Sequence, residues 1–163
     1  MDDFSSKPGH PNSFGLIGSE ANSVEANKRM LSSMTPTIVL KNKKPSLIVG
    51  TPGGSTIITS VFQTILNVYE FNMSMQEAVN APRVHHQWLP DVVIIEKDGI
   101  DSVQDSILRS KNYFVVSLPI VSDGPNIRAR SSIGKVDAIF IDENGDVSTG
   151  ADPRGDDHAT ILK

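Results

Sequence analysis

Two consecutive glycines, Gly53 and Gly54, stand where an apolar segment gives way to a helical pattern in the stretch LIVGTPGGSTI. Neither residue has a Cβ, so a ligand can approach their backbone closely and both N–H groups can point toward it. A helix N-terminus favours negative charge through its unpaired N–H groups and its dipole. The pair therefore suits a phosphate, the oxyanion of an acyl-transfer reaction, or a tight turn that binds nothing.

Phosphate is the poorer match of the two ligand classes. The chain contains neither G-x-x-x-x-G-K-[ST] nor G-x-G-x-x-G, and the helical segment after Gly54 offers no lysine. The local sequence leaves both the oxyanion site and the bare turn open.

Paired hydroxyls at Ser32 and Ser33 and a carboxylate at Asp3 are further groups suited to a polar ligand. Serines just before a strand can bind a carboxylate through their Oγ and backbone N–H groups, and an aspartate can receive an ammonium group. Each feature also has an ordinary explanation. Loop serines usually bond their own backbone, and acidic N-termini are commonly solvated.

The remaining conspicuous polar and aromatic side chains are not predicted to carry chemistry. His85 and His86 are adjacent, so their side chains diverge, and no carboxylate cluster accompanies them. We therefore predict no metal site and no cofactor. Trp88 is predicted to be a packing anchor for an irregular connection, and Arg128 and Arg130 to be solvated or salt-bridged.

Composition describes an ordinary globular domain. The 163 residues are 38% hydrophobic and 21% charged, with a net charge of −4 and no cysteine. The absence of cysteine excludes disulfides and thiolate catalysis. The mild negative charge argues against nucleic acid or an anionic membrane as the main partner, and no apolar run approaches the roughly 18 to 20 residues of a membrane span.

The elements that must position these groups are mixed helices and strands with β-hairpins, which predicts an α+β fold. Residues 1–35 show almost no periodic pattern, so they are either a disordered tail or a functional loop that a larger protein must hold. Strands are predicted at residues 37–40, 46–50, 92–96, 113–118, 135–141 and 146–150, and helices at residues 55–71, 74–81 and 101–111.

Apolar content also predicts which of these elements are buried. The first two strands are nearly continuous apolar runs, which is typical of strands buried on both faces. The first helix carries no charge before Glu70 and is expected to pack between layers. Its predicted inward face is Ile58, Val61, Phe62, Ile65, Leu66 and Tyr69, and that of the third helix is Val103, Ile107 and Leu108.

The candidate residues also belong to an ordered series of motifs that resembles the small, C-terminal subunit of the γ-glutamyltransferases, or γ-glutamyltranspeptidases, along almost the whole chain. L-S-S-M-x-P-T and G-x-P-G-G-S are its most specific parts. The motifs are D-D-F-S-x-K-P-G at 2–9, N-K-R-M-L-S-S-M-x-P-T-I at 27–38, G-x-P-G-G-S at 50–55, N-A-P-R at 80–83, H-Q-W-L-P at 86–90 and D-P-R at 152–154.

The resemblance implies part of an N-terminal-nucleophile hydrolase, with its four-layered αββα sandwich, made as a precursor that cleaves itself. The new N-terminal Thr is then the nucleophile, and its own α-amino group the base. By the same resemblance, Asp3 holds the α-amino group of a γ-glutamyl substrate, Ser32 and Ser33 bind its α-carboxylate, and Gly53 and Gly54 form the oxyanion hole.

The chain departs from the family pattern in one respect. The Thr-Thr-His segment with the nucleophile, and the large subunit that supplies an Arg to the substrate carboxylate, have no counterpart in the sequence. We therefore expect residues 1–163 to be the C-terminal portion of a small subunit, a single incomplete domain inactive by itself, with residues 1–35 as its substrate-binding loop region. Its expected partner is the large subunit of the same precursor, in a heterodimer.

The function expected from the resemblance is cleavage of γ-glutamyl amides such as glutathione through a γ-glutamyl-enzyme, with transfer to water or an amine. Bacterial relatives are often periplasmic or secreted, so that location is expected here. The alternatives are a relative that acts on poly-γ-glutamate or on cephalosporin side chains, and a catalytically silent binding or structural fragment that needs a partner chain.

Overall fold

A computed structural model describes residues 4–12, 14–119 and 131–162. Its elements are, in chain order, β1 (Thr37–Lys41), β2 (Lys44–Gly50), α1 (Thr56–Tyr69), α2 (Met75–Asn80), β3 (Val84–His85), β4 (Val93–Ile95), α3 (Ser102–Ser110), β5 (Val115–Ser117), β6 (Asp137–Ile141) and β7 (Val147–Gly150). Strands β1-β2-β6-β7 form one antiparallel sheet, and β3-β4-β5 form a smaller mixed sheet. The predicted segments all contain an element of the predicted type. None of the helices in the described residues is long and apolar enough to cross a membrane.

The two hairpins of the larger sheet follow from their turn residues. Asn42 and Lys43 both have positive φ, 53° and 67°, and connect Lys41 to its partner Lys44. That is the backbone geometry of a two-residue turn that matches strand twist. Between β6 and β7, the Asp142 carboxylate accepts the N–H groups of Asn144 and Asp146 at 2.8 and 2.9 Å. Both predicted hairpins are confirmed.

The main core lies between one face of the larger sheet and the helices α1 and α2. Leu47 and Val49 of β2 point into it, together with Ile57, Val61 and Val68 of α1. Burial of each such side chain contributes roughly 1.5–3 kcal/mol to folding. This arrangement supplies one sheet layer and one helix layer.

The opposite face of the larger sheet is uncovered in the described residues, so the prediction that β1 is buried on both faces is wrong. Ile38 of β1 is 62% exposed and Leu40 61%. Side chains alternate between the two faces of a strand, and β1 has only one face against the helices. The row Ile38, Ile48 and Ile139 runs across three neighbouring strands on the uncovered face.

The predicted inward face of α1 is also partly wrong. Ile58 and Phe62 are each 57% exposed, and helix α1 lies at the surface of the described structure. Two small hydroxyl residues, Ser60 and Thr64, are buried instead, because each donates its hydroxyl to a helix carbonyl four residues earlier, at 2.8 and 2.9 Å. A polar side chain whose hydroxyl is hydrogen-bonded within its own helix can face the core. The buried face of α1 is therefore rotated relative to the face that carries only apolar residues.

The two shorter helices begin as capping boxes. Ser74 and Glu77 form one box at α2, and Asp101 and Gln104 form a second one at α3. In α3, Leu108 packs against the smaller sheet as predicted, but Val103 and Ile107 are exposed. Nothing in the described residues packs on the outer face of α3. The helix therefore buries only the face that carries Leu108.

Candidate functional site

Gly53 and Gly54 lie in the short connection between the end of β2 at Gly50 and the start of α1 at Thr56. Their φ angles are +146° and +60°, values that glycine adopts without strain. Both residues are half-buried. No acceptor in the described residues takes the N–H of either glycine. Their backbone therefore presents two adjacent free donors at the beginning of a helix.

A third polar group beside the glycines also lacks a partner within the described ranges. Ser55 is the N-cap residue of α1, but its side chain makes no capping bond. Its Oγ is buried and has no hydrogen-bond partner in the described part of the chain. Buried hydroxyls are rarely left unpaired, so the free Oγ next to two free N–H groups is typical of a site that awaits a polar ligand.

The ring of Phe14 lies against the α-carbon of Gly54, because a Cβ built on Gly54 would overlap Cε1, Cδ1 and Cζ of that ring. The Phe14 turn is held by Asn12, whose Oδ1 accepts the N–H groups of Phe14 and Leu16 at 2.9 and 3.0 Å. Part of the long N-terminal loop thus folds over the glycine pair.

Gln87, and not Trp88, anchors the irregular connection after β3. Gln87 Nε2 donates to the carbonyl of Phe14 at 3.1 Å, and its Oε1 contacts Nε2 of His85 at 2.9 Å. His85 Nδ1 contacts the Thr59 hydroxyl of α1 at 2.9 Å. Trp88 is 75% exposed and has a φ of +70°, so its prediction as a packing anchor is wrong.

The two adjacent histidines make separate contacts. His85 is buried in the chain of hydrogen bonds described above, whereas His86 pairs with the Asp91 carboxylate at 3.0 Å and packs edge-on against Tyr113. No group of three or more histidine, aspartate or glutamate side chains within the described ranges could hold a metal ion.

Ser32 and Ser33 lie in the irregular segment that leads into β1. Thr37 of β1 pairs with Val49 of β2, so the start of β1 and the end of β2 lie at the same end of the sheet. Ser33 stands four residues before Thr37, and Gly53 four residues after Val49. Ser32 is exposed and its Oγ accepts the N–H of Met34 at 3.2 Å. The register brings the serine segment and the glycine segment to one edge.

Three residues singled out in the sequence lie outside the described residues. They are Asp3, Arg128 and Arg130. The role of Asp3 as the partner of a substrate amino group stays a prediction, as do the roles assigned to Ser32, Ser33 and residues 1–35.

A buried cluster of two arginines and two carboxylates fixes the elements around the site. Arg83 is 1% exposed, and its guanidinium contacts the Asp152 carboxylate at 2.8 Å. Arg154 bridges Asp152 and Glu96, at 3.0 and 2.6 Å. The charges balance, and each carboxylate also accepts backbone N–H groups: Ile133 donates to Glu96 at 2.8 Å and Val136 to Asp152 at 2.6 Å.

The two arginines also bind carbonyls at the end of α2. Arg83 donates to the carbonyl of Val79 at 2.8 Å, and Arg154 donates to those of Val79 and Ala81 at 3.1 and 3.0 Å. These are carbonyls that a helix leaves without partners at its C-terminus. The cluster therefore joins α2, β4 and the segments on both sides of the β6–β7 hairpin.

The pKa of the Asp152 carboxyl stays low although the group is buried. Burial opposes the charge of Asp152, but the N–H groups of Val136 and Arg154 and the Arg83 charge outweigh it and lower the pKa of Asp152. Burial, and next the charge of Arg154, lower the pKa of Arg83, against the attraction of Asp152. An arginine remains protonated in proteins all the same. Arg83 and Arg154 therefore both pair with an ionised Asp152 at neutral pH.

This cluster supports the glycine pair through residues 133–136. One side of that segment is bonded to Glu96 and Asp152. On the other side, the N–H of Lys135 donates to the Thr51 hydroxyl at 2.8 Å, next to Gly53. Sequence reasoning missed Arg83, Asp152 and Arg154 as structural residues, although they stand in the N-A-P-R and D-P-R motifs.

A sequence profile of the family Gamma-glutamyltranspeptidase matches residues 1–162. The chain belongs to the gamma-glutamyltranspeptidase family. It is 42% identical over 160 residues to the glutathione hydrolase proenzyme of Escherichia coli (strain K12), an alignment that takes in 98% of the chain and 25% of that protein. With the glutathione hydrolase proenzyme of Pseudomonas aeruginosa it is 43% identical, over 100% of the chain and 28% of that protein. The chain thus spans about a quarter of the length of these relatives.

Solved structures of gamma-glutamyltranspeptidases share the fold. A mutant enzyme from Helicobacter pylori is 49% identical, with a TM-score of 0.83 over 95% of this chain and 78% of that one. The enzyme from Pseudomonas nitroreducens complexed with L-DON is 41% identical, with a TM-score of 0.84 over 100% of this chain and 79% of that one. The predicted α+β class and its place in an N-terminal-nucleophile hydrolase fold are confirmed.

The transpeptidase CapD of Bacillus anthracis shares the fold alone, at 20% identity and a TM-score of 0.64. Within the family fold, the described residues show a four-stranded sheet with α1 and α2 on one of its faces, and a separate three-stranded sheet that packs against α3. Two free N–H groups at the start of α1 can bind a negatively charged oxygen, and the helix dipole adds to the same field.

Proposed function

We propose that this chain belongs to an enzyme that cleaves γ-glutamyl amides such as glutathione through a γ-glutamyl-enzyme and transfers the group to water or an amine. The observation that carries the proposal is the pair of free N–H groups at Gly53 and Gly54. In acyl transfer, such donors stabilise the oxygen that becomes negative in the tetrahedral intermediate, an effect often worth about 10²–10³ in rate per donor. The glutathione hydrolase proenzymes among the relatives support the substrate class.

The substrate's amino acid head group is assigned to the neighbouring loop. Ser32 and Ser33 bind the α-carboxylate, and Asp3 binds the α-amino group. The sheet register supports this assignment, because β1 begins and β2 ends at the same end of the sheet, with the serines shortly before β1 and the glycines shortly after β2. In a γ-glutamyl group, the α-carbon with its amino and carboxylate groups lies at one end and the reacting carbonyl lies at the other. A site for the α-carbon end close to an oxyanion site would therefore match the length of the group.

The large subunit of the same precursor is the proposed partner. The apolar row Ile38, Ile48 and Ile139 lies on a sheet face that nothing in the described residues covers. An apolar sheet face of this kind normally packs on another layer. The curated relatives have about three-quarters of their length outside the alignment, which is enough chain to supply a second sheet.

The activity is tested with the complete two-subunit protein and a chromogenic γ-glutamyl anilide. The proposal expects release of the aniline, with faster release when a dipeptide amine acceptor is added. Poly-γ-glutamate and a cephalosporin with an acyl side chain are tested in parallel. Activity on either of these without release from the anilide would overturn the proposed substrate class, and no activity on any of them would favour a catalytically silent protein.

Replacing both serines, as Ser32→Ala with Ser33→Ala, is expected to raise KM and lower kcat/KM. Each hydrogen bond to a charged group contributes about 1.5–3 kcal/mol, so the loss of two is worth about 10²–10⁴ in kcat/KM. The control is Ser110→Ala at the end of α3, where the hydroxyl bonds only to the Ile107 carbonyl. Kinetics unchanged in the double variant would contradict the head-group assignment.

A further inference from the structure

We propose that Thr51 and Thr56 are positioning residues that aim the two N–H groups of the glycine pair. The inference rests on the proposed function, in which Gly53 and Gly54 receive the oxyanion. Each threonine hydroxyl bonds the carbonyl oxygen of the same peptide unit whose N–H faces the site. A trans peptide unit is planar and its C=O and N–H point in opposite directions, so holding the oxygen also fixes the direction of the N–H.

The peptide unit between Pro52 and Gly53 is held by Thr51. The Thr51 hydroxyl donates to the carbonyl of Pro52 at 2.7 Å. The hydroxyl oxygen of Thr51 also accepts the N–H of Lys135 at 2.8 Å. The single proton of that hydroxyl is therefore directed to the carbonyl of Pro52. Thr51 is 8% exposed, so its hydroxyl is largely shielded from solvent. The Gly53 N–H is left pointing away from this bond.

The peptide unit between Gly53 and Gly54 is held by Thr56 in the same way. The Thr56 hydroxyl donates to the carbonyl of Gly53 at 2.9 Å, and the backbone N–H of Thr56 approaches the same oxygen at 3.3 Å. Thr56 is 1% exposed and opens α1. The Gly54 N–H is thereby fixed to the first turn of the helix.

The two hydroxyls do more than restrict rotation. A carbonyl that accepts a hydrogen bond polarises its peptide unit and makes the N–H at the other end a stronger donor, as in chains of hydrogen bonds. Glycine is free to adopt many backbone angles, so a glycine pair needs this external support to keep its donors in place. A preorganised donor does not have to reorient as charge develops on the substrate oxygen.

The test replaces each hydroxyl by a methyl group of similar size, as Thr51→Val and Thr56→Val, in the complete enzyme. The expected result is a fall in kcat on the order of 10-fold for each variant with KM nearly unchanged, smaller than the 10²–10³ lost when a donor is removed. Affinity for a boronic acid analogue of the γ-glutamyl group, which forms a tetrahedral adduct with a hydroxyl nucleophile, should fall in parallel. Thr51→Ser and Thr56→Ser should restore both quantities.

The matched control is Thr64→Val. Thr64 is also 1% exposed and donates its hydroxyl to a carbonyl of α1, but that carbonyl belongs to Ser60 and not to the glycine segment. This control is expected to lose stability without a change in kcat per folded molecule. A packing role for Thr51 and Thr56 predicts the same behaviour at all three positions.

Unchanged kcat and boronate affinity in folded Thr51→Val and Thr56→Val would overturn the inference and leave the proposed function standing. Absence of γ-glutamyl anilide cleavage by the unmodified enzyme would instead overturn the proposed function. If a valine variant does not fold, Thr→Cys replaces it, since a thiol is a weaker donor. An intermediate kcat supports the inference, and a kcat equal to that of the unmodified enzyme contradicts it.

Discussion

Replacement of Gly54 by alanine is expected to lower kcat for γ-glutamyl anilide cleavage by about 10²-fold or more, the loss typical of one oxyanion donor. The new Cβ would overlap the Phe14 ring, which lies directly on the Gly54 α-carbon. Relieving that overlap requires either the ring or the peptide unit that carries the Gly54 N–H to shift. Both movements change the surroundings of the reacting carbonyl.

Gly145→Ala is the matched control for this substitution. Gly145 lies in the exposed β6–β7 turn with a φ of +91°, and a Cβ there would meet nothing within 4 Å. Both variants carry the strain of a positive φ, about 1–3 kcal/mol. The oxyanion assignment expects lost kcat at Gly54 alone. If instead both variants lose only stability, with full kcat per folded molecule, Gly54 is a turn residue and nothing more.

Replacement of Arg83 by methionine is expected to destabilise the protein by about 3–5 kcal/mol, the cost of removing one partner from a buried ion pair. Methionine preserves much of the apolar volume but removes the guanidinium. The Asp152 carboxylate then loses an ion pair, and the carbonyls of Val79 and Ile133 lose donors at 2.8 and 2.9 Å. Urea unfolding, followed by circular dichroism, measures the change.

A double-mutant cycle separates the ion pair from general packing. Combining Arg83→Met with Asp152→Asn should cost less than the sum of the two single changes, because the second change removes the carboxylate charge that has lost its Arg83 partner. The surface control is Arg109→Met. The Arg109 side chain is 52% exposed, and its partner Asp105 lies one turn away on the same helix. This substitution should leave the unfolding midpoint nearly unchanged. Strict additivity would contradict the coupling.

Features set by neighbouring residues could be predicted from the sequence. The β1–β2 hairpin, the capping box at Ser74 and the start of α1 after Gly54 all depend on contacts within a few residues. Such contacts leave local patterns, since each needs a particular residue type at a fixed spacing.

Features set by distant residues could not be predicted. The Arg83–Asp152 pair joins positions far apart in the chain, and nothing in either local sequence specifies it. The exposed Ile58 and Phe62 were misassigned because apolar periodicity does not reveal which of two apolar stripes faces the sheet, nor that Ser60 can be buried by bonding its own helix. Trp88 was misassigned because the anchor of its segment is an amide, Gln87, that reaches the carbonyl of Phe14.

The candidate site likewise contains one feature that the sequence reveals and one that only the structure reveals. The glycine pair was recognisable from its type and its place before a helix, and neither of its N–H groups has an acceptor in the part of the chain that the structure describes. The threonines that hold those peptide units were overlooked, although both stand within the stretch T-P-G-G-S-T. Their role depends on which carbonyl each hydroxyl reaches, and that requires three-dimensional coordinates.

A crystal structure of the complete enzyme with a boronic acid analogue of the γ-glutamyl group bound to its nucleophile tests the central claim most directly. The account predicts that one boronate oxygen lies about 2.7–3.1 Å from the backbone nitrogens of both Gly53 and Gly54, the range for an oxyanion and its donors. A boronate whose oxygens all point to solvent or to other groups, with both glycine N–H groups beyond hydrogen-bond distance, would contradict it.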